Sequence, residues 1–142
     1  METTKYYDFE VRIAYADTDR MGVVYYANYL VLFERGRTEF MRNAGVRYRD
    51  LEEKQRLFMP VMEAHVDYLA PARYDDLIRV RTFLGELGGA HVIFRHDIYA
   101  AETNALIARG YTKHAVVNLL WRPTRFPSEL RTTLEPYISP AP

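Results

Sequence analysis

Between Ala27 and Asn43 apolar residues recur every three to four positions, while elsewhere in the chain they mostly alternate in twos. One long helical period among several strand periods constrains the fold strongly. A lone amphipathic helix must bury its stripe against whatever sheet the strands form. Leu30, Phe33, Arg37, Phe40, Met41 and Ala44 lie near one helix face, and Tyr29, Phe33, Gly36, Phe40 and Ala44 mark an overlapping, broader stripe. Few positions before Glu34 read as exposed, so a largely buried helix is expected, with Gly45 as its stop.

The strand periods are clear on both sides. From Tyr6 to Tyr15, Phe9, Val11 and Ile13 oppose Asp8, Glu10 and Arg12. After the helix, Tyr48–Arg56 reads as a short polar helical segment. Met62, Ala64, Val66 and Tyr68 then oppose Val61, Glu63, His65 and Asp67, which predicts a half-buried strand. Leu77–Leu87 alternates, Gly88-Gly89 reads as a hairpin turn, and Ala90–Ala101 follows. A turn at Glu102-Thr103-Asn104 leads to a last strand expected over Ala105–Trp121. This order predicts an α+β fold, a five-stranded antiparallel sheet with one long helix. The 142 residues form a single domain, 1–142, with 123–142 a Pro-containing tail whose far end is expected to be loose. Such a sheet has two faces and an open edge, which predicts a homo-oligomer.

Composition narrows the function. Nineteen Lys or Arg balance nineteen Asp or Glu, so no global field favours nucleic acid or an anionic membrane. The chain has no cysteine, which removes disulfides, Cys nucleophiles and thiolate metal sites. No signal peptide or membrane-length apolar run is legible, and a cytoplasmic protein is expected. Sixteen of the nineteen cations are arginine, and there are twelve tyrosines; both suit interfaces and ligand sites without naming one.

The densest cluster of chemistry-bearing residues is Asp17 to Asn28, where two carboxylates precede the long helix. A helix start offers unpaired N–H groups able to polarise a carbonyl, and a nearby carboxylate can serve as general base or nucleophile. The alternative is that Asp17 and Asp19 merely cap turns by accepting from backbone N–H groups.

Asp17-Thr18-Asp19, Gly22-Val23-Val24-Tyr25, Asn28-Tyr29-Leu30 and Phe33-Glu34-Arg35 with Arg37 resemble the signature of the hotdog-fold acyl-CoA thioesterases, in the 4-hydroxybenzoyl-CoA thioesterase and YbgC-like branch. Asp67-Tyr68 with Pro71-Ala72-Arg73-Tyr74-Asp75-Asp76 resembles that family's second stretch. The resemblance runs from about Phe9 to Trp121. It implies a curved sheet wrapped around the helix, dimers often paired into tetramers, and active sites at the dimer interface. It also implies an acyl-CoA substrate, with Asp19 catalytic and the Tyr26 backbone N–H polarising the thioester carbonyl. Asp17 would shape the loop. Gly22, Val24, Tyr25, Asn28, Tyr29 and Glu34 become structural or pocket candidates. Many YbgC-like members have His where this chain has Tyr26, and the aromatic-thioester branch has Tyr, which favours an aromatic or bulky acyl group. No cofactor is implied, coenzyme A being part of the substrate.

Other residues carry weaker signals. Arg79, Arg81, Arg95, Arg122 and Arg125 are candidates for the phosphates of coenzyme A, with solvated faces or salt bridges as the competing reading. His65 with Glu63 and Asp67 lacks a second cluster to complete a metal site, and His91, His96 and His114 have no motif partners, so no metal is expected. Asn28 either caps the helix, the reading its position favours, or orients the Asp19 loop. The expected activity is hydrolysis of a CoA thioester. The rival readings are an acyl-carrier-protein thioesterase and a non-catalytic acyl-CoA-binding protein.

Overall fold

The strands come together in an order that their sequence does not follow. The computed structural model describes residues 5–140. Its elements are β1 (Tyr6–Arg12), α1 (Asn28–Asn43), α2 (Tyr48–Glu53), β2 (Val61–Tyr68), β3 (Leu77–Leu87), β4 (His91–Ala100), β5 (Leu106–Ala115) and α3 (Ser128–Leu134). Short 3-10 turns occupy Tyr15–Asp17 and Glu135–Tyr137. The five strands form one antiparallel sheet in the order β1-β3-β4-β5-β2, which leaves β1 and β2 at its edges. The expected α+β hotdog architecture is therefore present, with the sheet open rather than closed into a barrel.

The central strands are half-apolar, and their buried half faces α1. Ile78, Val80, Thr82 and Leu84 of β3 and Val92, Phe94, His96 and Ile98 of β4 are all buried, as are Tyr29, Leu32, Phe33, Gly36, Phe40 and Met41 of α1. The helix thus uses the Tyr29–Gly36–Phe40 stripe. Leu30 and Val31 lie outside it, 40% and 50% exposed, so the helix is less buried than its composition suggests. Gly36 sets the closest approach of helix to sheet. A Cβ there would stand 2.7 Å from Thr82 Oγ1 and 2.8 Å from Val80 Cγ1. Phe33 is completely buried beside this contact, a site where truncation to alanine costs about 3–5 kcal/mol.

Four expectations are corrected. β1 stops at Arg12 because Ile13, although buried, exchanges backbone bonds with the Asp75–Asp76 turn instead of continuing the ladder. β2 is exposed on nearly every residue rather than half-buried, because β5 pairs with only one of its edges and little of the helix covers it. β5 ends at Ala115, and Val117 pairs with Phe58 and Pro123 around a turn held by the Asn118 side chain. The tail docks rather than trailing loose. Phe126 and Leu134 enter the core, the Ser139 N–H donates to the Leu84 carbonyl, and Arg95 donates to the Ser139 carbonyl at 2.7 Å. Residues 141–142 lie outside the described residues.

Candidate active site

The Asp17–Asn28 loop is built by backbone bonds that hold the two carboxylates in different settings. Asp17 Oδ2 accepts from the Ala14 N–H at 2.8 Å, closing the 3-10 turn. The Asp17 carbonyl accepts from the Tyr25 N–H at 2.8 Å and from Asn28 Nδ2 at 2.9 Å. Asp17 is therefore occupied with the loop itself. Asn28 orients that loop; it does not cap α1, whose N-cap is Ala27 with no side-chain bond.

Asp19 sits one turn further on. Its N–H donates to the Val23 carbonyl at 2.9 Å, and its own carbonyl accepts from the Gly22 N–H at 3.0 Å. Gly22 has φ +80°, a conformation that glycine adopts without the steric cost of a Cβ. Asp19 Oδ1 accepts from the Met21 N–H at 2.8 Å, and Oδ2 has no partner among the described residues. The loop is stitched to the segment after β2 by the Val24 N–H, which donates to the Ala72 carbonyl at 2.8 Å; both residues are buried.

The helix entry completes the arrangement. The Tyr25 carbonyl accepts from the Asn28 N–H at 2.9 Å, but among the described residues nothing accepts from the Tyr26 or Ala27 N–H. With no side-chain cap, these are free donors at the positive end of the α1 dipole. Asp19 and Tyr26 border a cleft of about 360 Å³, whose walls include Tyr29, Tyr68, Leu69 and Pro71. A free carboxylate oxygen, free amides and a mainly apolar wall are the elements needed to hold a carbonyl compound and attack it.

The tyrosines around the cleft are held protonated by their surroundings. The neighbouring Tyr26 hydroxyl pushes the Tyr25 phenol up from its ordinary value, with smaller contributions from burial and the Asp19 carboxylate. Burial raises Tyr29 and Tyr68 as well, so all three stay neutral near pH 7. The Tyr29 and Tyr68 rings meet edge to face at 5.2 Å, and Tyr25 and Tyr26 lie 4.7 Å apart.

The remaining sequence candidates are dispersed. Val24 is core beneath the loop, and Glu34 lies on the exposed face of α1, away from Asp19's cleft. Arg79, Arg81 and Arg95 project from the sheet face opposite α1 and are engaged there. Arg81 grips Asp8 through two bonds of 2.8 and 2.9 Å, Arg79 bonds Asn104, and Arg95 holds the tail. Arg122 and Arg125 are exposed, and their guanidinium groups have no acceptor among the described residues. His65 pairs with Asp67 at 3.0 Å, and Glu63 accepts from Tyr111. Among the described residues, no three His, Asp or Glu side chains converge as a metal-ligand cluster. Sequence reasoning missed Tyr68, Leu69 and Met21 as cleft residues. For Tyr68 the available signal was its place in the Asp67-Tyr68 stretch, which only the third dimension brings to the Tyr26 turn.

The sequence profile of the thioesterase-like superfamily matches residues 13–134. The acyl-CoA thioesterase YbgC of Haemophilus influenzae is 36% identical over 126 residues, covering 88% of this chain and 91% of the relative. Among solved structures, a probable thioesterase from Bartonella henselae is 33% identical with a TM-score of 0.80, covering 86% of this chain and 99% of that one. A DHNA-CoA thioesterase from Staphylococcus aureus is 28% identical with a TM-score of 0.85, covering 93% and 88%.

Proposed function

The chain belongs to the thioesterase-like superfamily, and from that premise we propose that it hydrolyses an acyl-CoA thioester to a carboxylic acid and free CoA, with Asp19 as the reacting carboxylate. The observation that carries this reading is the free Asp19 Oδ2 on the same cleft as the Tyr26 turn, whose N–H groups have no acceptor among the described residues.

The thioester carbonyl oxygen accepts from the Tyr26 N–H, so that negative charge developing on it is met by a fixed dipole. Asp19 then has two routes. As general base it takes a proton from water while the water oxygen bonds to the carbonyl carbon. The tetrahedral intermediate collapses with loss of the CoA thiolate, which leaves as the thiol after protonation. As nucleophile, Asp19 itself bonds to that carbon and expels the thiolate, and water cleaves the resulting anhydride, regenerating the carboxylate. Asp17 shapes the loop. The tyrosine-lined wall supports an aromatic or bulky acyl group, which can pack on ring faces and edges.

The unpaired edge of β2 supports assembly into a homodimer, with tetramers formed by further packing. A two-fold antiparallel pairing of β2 sets the Val61 end of one subunit beside the Tyr68 end and cleft of the other. Of the five arginines considered, Arg122 and Arg125 have guanidinium groups with no acceptor among the described residues, which supports them as the ones that meet CoA phosphates. The cytoplasm, where CoA thioesters are made and used, is the compartment this reading implies. No helix among the described residues is long and apolar enough to cross a membrane.

The test is thiol release from short, medium, long and aromatic acyl-CoAs, with matched acyl-carrier-protein esters alongside. Asp19→Asn should lose at least about 100-fold in kcat while keeping fold and assembly, in line with removal of a reacting group. Full activity in Asp19→Asn would sink the assignment.

A further inference from the structure

The carbonyl-polarising turn is held by a contact from the far side of the cleft. Tyr68, the last residue of β2, donates its hydroxyl to the Tyr26 carbonyl at 2.9 Å, across 42 residues of sequence. The same carbonyl also accepts an i→i+3 turn bond, from the Tyr29 N–H, at a long 3.4 Å, so the helix entry alone holds it weakly. The peptide joining Tyr26 to Ala27 is trans and planar, so fixing its C=O fixes the whole peptide plane on the C-terminal side of Tyr26. The preceding peptide, which carries the Tyr26 N–H, is fixed through the Tyr25 carbonyl by Asn28. Tyr68 is itself steadied by its edge-to-face contact with Tyr29, the first buried residue of α1.

We propose that Tyr68 is a positioning residue for thioester hydrolysis, its hydroxyl locking the Tyr26–Ala27 peptide and with it the setting of Tyr26, the residue whose N–H is assigned to the thioester carbonyl. The proposal rests on the assignment of Asp19 and the Tyr26 N–H made above. Tyr68 does not touch the reacting atoms. It acts through the turn, and because it ends an edge strand it ties the order of β2 to the order of the oxyanion site. The raised phenol pKa keeps the hydroxyl protonated and donating across the neutral range.

The two readings of Tyr68 differ in what its removal changes. A tyrosine that only packs would, on losing its hydroxyl, shift stability slightly and leave turnover alone. A tyrosine that aims the turn would lower kcat with KM little changed, because the lost alignment matters in the transition state. Slight misplacement of catalytic groups costs up to about 100-fold in rate.

The experiment compares the full-length wild type, Tyr68→Phe and Asp19→Asn on the best acyl-CoA from the screen, with hydrogen exchange of residues 25–30 measured on each. Tyr68→Phe keeps the ring and its contact with Tyr29. It should lose about 10- to 100-fold in kcat with KM within twofold, an unchanged urea midpoint, and faster exchange of residues 25–30. Wild-type kcat in Tyr68→Phe beside an inactive Asp19→Asn overturns the proposal, as does unchanged exchange in residues 25–30. An active Asp19→Asn overturns the site assignment, and the proposal with it.

Discussion

Acidification from pH 7.5 to 4.5 should destabilise this protein through two histidines sealed under α1. His96 is fully buried, stacked on Phe33 with ring centroids 4.4 Å apart, and its Nδ1 lies 3.0 Å from Thr82 Oγ1. Its Nε2 has no partner among the described residues. His114 is fully buried too. Its Nδ1 lies 3.0 Å from the Met59 carbonyl, an obligate acceptor, so Nδ1 carries the hydrogen and Nε2 accepts from Thr112 Oγ1 at 2.9 Å. Burial, helped by the Arg37 guanidinium, brings His114 down to about 4 against the opposing pull of the Met59 carbonyl. Burial likewise holds His96 well below the usual imidazole range, with Arg37 and His114 adding to it.

Both histidines have folded pKa values below the unfolded value of about 6.5. Between pH 6.5 and 4 the unfolded chain binds protons that the native chain refuses, so stability falls as pH falls. The contribution is fully present above pH 6.5. For His114 the loss across that window is about 3 kcal/mol, a substantial part of a stability that for a domain is about 5–15 kcal/mol. His96 adds to the loss in the same direction. Urea denaturation at pH 7.5, 6.5, 5.5 and 4.5 measures it, with His114→Asn as control. Asn keeps a donor near the Met59 carbonyl but cannot titrate, and the carboxylates common to both proteins cancel in the difference. His114→Asn should start less stable at pH 7.5 and lose about 3 kcal/mol less than wild type by pH 4.5. Parallel curves for the two proteins, or a His114 ring resonance titrating near pH 6.5, would refute the reasoning.

Two further substitutions test the packing and the loop. Gly36→Ala should gain up to about 1 kcal/mol in helix propensity, yet its Cβ meets Val80 and Thr82 at under 3 Å; a net loss of about 1–3 kcal/mol is expected. An unchanged or raised urea midpoint would contradict the close approach of α1 to β3. Asp17→Ala removes the acceptor for the Ala14 N–H, at a cost of about 1 kcal/mol, and should lower kcat less than about 10-fold, far less than Asp19→Asn. A larger kcat loss in Asp17→Ala than in Asp19→Asn would exchange the roles of the two carboxylates.

Local rules made much of this protein legible. The helical period named α1 to within a residue, because a helix must repeat its apolar stripe every turn; the observed element is Asn28–Asn43. Alternation likewise identified the buried half of β3, and Gly88-Gly89 the hairpin, since both are set by residues close in sequence. The DTD loop and its glycine could be recognised because the turn's conformation depends on the residues that form it.

Tertiary structure decided the rest. Alternation in β2 reads as half-buried, but it reports only which side chains share a face, not whether anything covers that face. The strand order puts β2 at an edge, and the single chain leaves it bare. Arg81 was a phosphate candidate until register set it opposite Asp8, 73 residues away. Tyr68 read as a strand residue within the family's second stretch, with no assigned contact until the fold carried it to the Tyr26 carbonyl. The sequence by itself therefore determined α1 and its stripe, the central strands and the place of the two-carboxylate loop before the helix. Which charges are spent on each other, which strands lie at the edges and which carbonyl the Tyr68 hydroxyl meets came only from the tertiary structure. Those contacts join residues far apart in the chain, and no local period encodes their pairing.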